Sequence, residues 1–107
     1  MKIPDKIRIG GIDYKVEQTD GLIDGVKVLD GQIDYGGSVI RLSARDNAHQ
    51  AMCVTLLHEI LHGIAHHANL DLGEAQEKIV DVLAYGIYQI LQDNGRKLFD
   101  VVESDPN

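Results

Sequence analysis

The stretch Thr55-Leu56-Leu57-His58-Glu59-Ile60-Leu61-His62 sets two imidazoles four residues apart, with a carboxylate directly after the first. On a helix that spacing stacks both rings on one face, one turn apart, where they can grip a single metal ion. Glu59 then stands within reach of a water on that ion. A histidine pair of this kind binds zinc well, but a tetrahedral catalytic site needs a third protein ligand and one open position. Glu77 supplies a candidate, lying on the edge of a later apolar stripe beside Val80 and Ala84. An unpaired carboxylate is costly there and a metal-bound one is not. Asp81, one turn further on, is placed to accept the free ring N–H of a ligating histidine and fix its tautomer. Glu74 is the alternative third ligand, although its place in a first helical turn already gives it a capping role.

The remaining chemistry-bearing residues have plainer readings. His66 falls one turn past His62, but three histidines stacked over two turns diverge too far to share one ion, so it reads as a flanking residue. His67 faces the opposite side of the helix and His49 lies near its start; both read as structural or exposed. Cys53 is well round the helix from His58 and reads as a small core residue.

These side chains need a scaffold. Period-two alternation on both sides of Gly10-Gly11 marks a hairpin. Asp-Gly pairs crowd residues 19–37 and divide short strand pieces, Val26-Leu29 and Gln32-Tyr35, by tight turns. The acidic positions do not fall on the spacing of a calcium loop. Ser38-Val39-Ile40-Arg41-Leu42 reads as a further strand, giving a small antiparallel sheet of three or four strands over residues 5–43. From 46 to 67 neither proline nor a turn cluster intervenes, and Val54, Leu57, Leu61 and Ile64 recur at helical spacing. Leu56, Ile60 and Met52 cover its other side, so this helix is expected to run through the middle of the domain. Asp71 and Glu74 read as a capping pair for a second helix over 72–94, whose Val80, Leu83, Ile87, Ile90 and Leu91 pack inward. Asn94-Gly95 ends it, and residues 95–107 form a tail, with its last four residues frayed. The expected architecture is α+β: the sheet, then two long packed helices.

One hundred and seven residues make one small domain with a single modest core. At 44% hydrophobic and 25% charged residues the composition is globular, and no apolar run approaches a membrane span. The first six residues lack the apolar region of a secretory signal and the single cysteine has no internal partner, so the cytoplasm is the expected location. A net charge of −7 with scattered basic residues excludes a row of phosphate contacts, so nucleic acid is not an expected partner.

His58-Glu59-Ile60-Leu61-His62 followed by Glu77-Lys78-Ile79-Val80-Asp81 resembles the zincin metallopeptidases, and more narrowly the gluzincins, whose third ligand is a glutamate on a following helix. The order of sheet, motif helix and second helix is similar to a minimal ImmA/IrrE-type domain and to small phage-encoded relatives. The metzincin pattern is not met, because Ala65 stands where it has Gly and Ala68 where it has a third His. The resemblance implies a zinc hydrolase that cleaves the amide bond of a peptide or protein, with His58, His62 and Glu77 as ligands and Glu59 as general base. It also implies a donor for the developing oxyanion, for which Tyr88, Tyr85 and His66 are the candidates. Little chain remains to build a long substrate cleft. The rival expectation is a non-catalytic zinc-binding structural or interaction module, for instance a phage accessory factor.

Overall fold

Gly10 and Gly11 form the tip of a hairpin that joins β1 (Lys6–Ile9) to β2 (Ile12–Thr19), with φ of 58° and 81°. Those left-handed values are what a two-residue turn between right-twisted strands demands. The computed structural model describes residues 1–95 and 97–99. After β2 come β3 (Leu22–Asp24), β4 (Lys27–Leu29), β5 (Gly31–Asp34) and β6 (Val39–Ser43), then two helices, α1 (His49–His67) and α2 (Gln76–Asn94). A 3-10 turn, Gly73–Ala75, leads into the second helix. The fold is α+β.

The main sheet has four strands in the order β1-β2-β6-β5, while β3 and β4 form a separate two-stranded hairpin. It is mixed where an antiparallel sheet was expected, because β2 and β6 run parallel, from Lys15 opposite Val39 to Thr19 opposite Ser43. The physical reason is the excursion between them. The chain leaves β2, makes the β3–β4 hairpin and lays down β5, then turns at Ser38 (φ 55°) to re-enter the sheet in the direction of β2. Among the described residues this order leaves β5, paired only with β6 from Gly31 opposite Leu42 to Asp34 opposite Val39, as an edge strand.

One face of the sheet buries Ile9, Tyr14, Val16, Ile40 and Leu42, and α1 closes over it with Met52, Cys53 and Leu56. Complete burial of Ile40 and Leu42 contributes roughly 1.5–3 kcal/mol each. Gly63 allows the close approach of helix to sheet, since a Cβ there would stand 3.1 Å from Ile9 Cδ1 and 3.2 Å from Ile33 Cδ1. The second helix packs chiefly on α1, burying Val80 and Ala84, so α1 runs between the sheet and α2 as its two-sided apolar character predicts.

Four boundaries and contacts differ from the sequence reading. The first helix begins at His49 rather than 46, because Asp46 adopts a left-handed φ of 58° and the chain is still turning there. No capping pair opens α2: Asp71 instead accepts the Gly73 backbone N–H at 2.8 Å, which ties off the 3-10 turn. The α-helix proper starts at Gln76 and ends as expected, with Gly95 at φ 53° donating its N–H to Leu91 O. Leu83 and Ile90 do not pack inward but lie on the exposed side of α2. Of the expected tail, Arg96 and residues 100–107 lie outside the described residues. Among the described residues no helix is long and apolar enough to cross a membrane.

Candidate metal centre

Helix α1 presents His58 and His62 on the flank that meets α2, and their Nε2 atoms lie 3.0 Å apart. From the first turn of α2, Glu77 brings one oxygen to 2.7 Å from His62 Nε2 and the other to 3.3 Å from His58 Nε2. One ligand atom from each residue falls within 4.8 Å of the others, a cluster that could hold a metal ion. Zinc bonds of about 2.0–2.1 Å at tetrahedral angles separate neighbouring donors by roughly 3.3 Å. The observed spacings are close to that value, so the donor set fits.

The outer nitrogens are also engaged. Asp81 Oδ1 lies 2.8 Å from His58 Nδ1 and accepts its N–H, which leaves the Nε2 lone pair facing the cluster. The Gln76 carboxamide stands 3.1 Å from His62 Nδ1. The amide atom that faces the ring is Gln76 Nε2; exchanging the amide oxygen and nitrogen puts the oxygen there, where it would accept the Nδ1 proton and free the His62 Nε2 lone pair in the same way. Gln76 was not singled out from the sequence. A neutral residue next to Glu77 carries no signal of its own; only the crossing of α2 over His62 gives it a role.

Glu59 occupies the neighbouring position on α1 and is only 7% exposed. The cause is β5: at Gly31 a Cβ would collide with the Thr55 methyl and stand 3.2 Å from Glu59 Oε2, so the bare backbone of the edge strand lies against this carboxyl. Burial, reinforced by the Glu77 charge and opposed by His58, pushes the Glu59 pKa up to about 7. Tyr35, which follows β5, is a second site residue that sequence reasoning missed. Burial, and then the charge of Glu59, raises its phenol above the ordinary value. Its only signal was its place at the end of a strand piece.

Two cavities flank the donors. One of about 500 Å³ is lined by Gly31, Thr55, His58, Glu59, Asp81 and Tyr85 among others. The other, of about 330 Å³, is lined by Tyr35, His62, His66, Asp71 and Gln76 among others. Of the oxyanion candidates, Tyr85 lines the larger cavity and is well exposed. His66 lines the smaller one, where its ring stacks on Tyr35 at a centroid distance of 3.7 Å and takes no part in the donor cluster. Tyr88 packs against the hydrophobic core. Glu74 is exposed on the 3-10 turn and is not among the clustered donors. His67 bonds the buried Tyr14 hydroxyl at 2.7 Å, a structural contact, and Cys53 belongs to the core.

No family model, curated protein or solved structure matches the chain. The chemistry therefore has to be read from the site itself.

Proposed function

We propose that this protein is a zinc-dependent hydrolase of the metallopeptidase kind, cleaving an amide bond in a peptide or protein. The observation that carries the reading is a buried carboxyl, Glu59, set beside a cluster of two imidazole nitrogens and one carboxylate. A structural zinc site closes with four protein ligands and has no use for such a carboxyl, whereas hydrolysis requires it.

His58, His62 and Glu77 would hold a zinc ion, whose Lewis acidity would lower the pKa of a bound water far toward neutrality. Glu59 takes the proton from the attacking water and returns it to the departing amine as the C–N bond breaks. In the metal-free chain burial holds the Glu59 carboxyl above the ordinary carboxylate range, the direction that suits a group that both takes and returns a proton. Asp81 and Gln76 hold the two rings in orientation through their Nδ1 atoms. Tyr85, which lines the larger cavity together with His58, Glu59 and Glu77, is the candidate hydroxyl for donation to the developing oxyanion. The free edge of β5, which passes Glu59 at Gly31, offers backbone groups to an extended peptide.

Metal analysis paired with peptide-library turnover tests the reading. The wild-type protein is expected to bind one zinc and cleave peptides, and Glu59→Gln to retain the metal while losing about 10²–10⁴ in rate. Zinc retained by both, with turnover by neither, would leave a metal-binding module and end the hydrolase reading.

A further inference from the structure

Strands β4 and β5 are divided by Asp30 alone, and among the described residues each is paired on one side only, β4 with β3 and β5 with β6. The Ser43 N–H donates to Asp30 O at 2.8 Å, so the β5–β6 pairing runs on to the foot of the β3–β4 hairpin. The cavity of about 500 Å³ that holds Glu59 is lined by Lys27, Val28, Leu29, Asp30 and Gly31 in unbroken succession. A sheet face presents alternate residues, and only an edge presents every one. The unpaired edges of β4 and β5 thus meet in one rim. A third cavity, of about 700 Å³, opens between the hairpin and the turn from β6 into α1. Its aliphatic wall is Leu22 and Ile23 of β3, set opposite Leu29 and Val28 of β4. Val28, Leu29, Asp30 and Asn47 line both cavities, so the two adjoin across β4. None of the four aliphatic residues belongs to the hydrophobic core, and Ile23 and Val28 are 73% and 77% exposed. Aliphatic side chains gathered beside a cleft in this way mark a surface made for contact.

We propose that the β3–β4 hairpin selects the substrate: an extended peptide lies along the rim of β4 and β5 and sets one aliphatic side chain into the third cavity. This rests on the donor cluster being the centre of a peptide hydrolase, and the adjoining of the two cavities is what names the occupant. A peptide added as a strand beside Gly31 has its backbone next to Glu59. At about 3.3 Å per residue it reaches Val28 and Leu29 about two to three residues further on. The side chain received there is aliphatic, because the wall is aliphatic and the polar groups around it are already engaged. Arg45 is held by Asp20 through Nη2 at 3.1 Å and Nε at 3.3 Å, and Asp30 accepts from Asn47 Nδ2 at 3.3 Å. Contact over this length requires a chain free to extend. The substrate class is therefore an unfolded stretch of protein with a Leu-, Ile- or Val-type residue near the cleaved bond.

Fluorescein-labelled, capped octapeptides of Ser and Thr, with a single Leu moved through each position in turn, test the proposal. Their binding is measured by anisotropy on the zinc-loaded Glu59→Gln protein and on the wild type in chelator, and their cleavage by the zinc-loaded wild type is mapped by mass spectrometry. A favoured Leu position is expected to tighten binding about tenfold or more over the Leu-free parent, the gain from burying one such side chain. Cleavage should fall about two to three residues from that Leu. Ile23→Ser and Val28→Ser alter exposed side chains, so both variants fold, and each is expected to reduce the Leu preference several-fold. Val26→Ser, at the hairpin tip and lining neither cavity, should leave the preference unchanged. Absence of peptide binding, a preference for Lys over Leu, no favoured position, or a preference indifferent to Ile23→Ser and Val28→Ser would each overturn the proposal, as would an equal loss in Val26→Ser. The two readings fail separately. Leu-selective binding without cleavage would end the hydrolase reading and leave the groove, whereas cleavage that ignores the position of Leu would end the groove alone.

Discussion

Replacing Glu59 by Gln should stabilise the metal-free protein at alkaline pH and leave it nearly unchanged in acid. Burial raises the carboxyl pKa in the folded chain from 4.5 to about 7, whereas the unfolded chain titrates near the ordinary value. Below the unfolded pKa both states carry the proton and no penalty arises. Between the two values the folded state binds more protons, so stability falls as pH rises, and above about 7 the loss is complete. A rise from 4.5 to about 7, at about 1.4 kcal/mol for each tenfold change in proton affinity, corresponds to a penalty on the order of 3 kcal/mol. Glutamine has the shape of the protonated acid and does not ionise. Urea unfolding of both proteins in a chelator, from pH 5 to pH 8.5, should therefore give a stability difference that grows with pH. It should reach about 3 kcal/mol in favour of the variant, on the order of 10 °C in melting temperature for a domain of this size. Zinc held by the three donors favours the carboxylate and should flatten the difference. A difference that stays constant across the range would show that burial by β5 does not set the acidity of this group.

Further outcomes follow from the same geometry. His58→Ala, His62→Ala and Glu77→Ala should each abolish stoichiometric zinc binding in calorimetry, whereas Glu74→Ala should leave it intact. Asp81→Ala removes the acceptor for His58 Nδ1 and should weaken zinc binding about 10–100-fold. At a free zinc concentration of about 100 times the dissociation constant, the metal should add about 2.7 kcal/mol to stability, lost again on adding chelator. Gly31→Ala places a methyl against Thr55 and Glu59 and should lower stability by about 1–3 kcal/mol, read by urea unfolding.

The clustered imidazoles of α1 were legible because their signal is local: His58 and His62 stand one helical turn apart with Glu59 next to the first, and helical spacing alone fixes which flank they occupy. Glu77 and Asp81 were legible as carboxylates one turn apart on one flank of α2, but the burial cost expected for them is not what places them, since their side chains are 71% and 61% exposed. Gln76 and Tyr35 were not, because each meets the site through a crossing of distant elements that leaves no trace in nearby residues. The same limit explains the sheet. Alternation and turn residues located five of the six strands and missed β3 (Leu22–Asp24), and the parallel pairing of β2 with β6 depends on where the chain returns after residues 20–38, which no short-range pattern encodes. Leu83 and Ile90 were assigned inward because periodicity registers an apolar stripe without saying which side of the helix the core lies on. For Val80 that reading held; for the other two the helix has a second face.

The third donor comes from a different helix than the first two, and α2 rests on α1 with little purchase on the sheet. An ion gripped by all three is thus a rivet between two parts of the chain that could otherwise separate. Opening of the second helix away from the first would then demand breaking a coordination bond. Metal occupancy would then set how cooperatively the second helix unfolds with the rest of the chain.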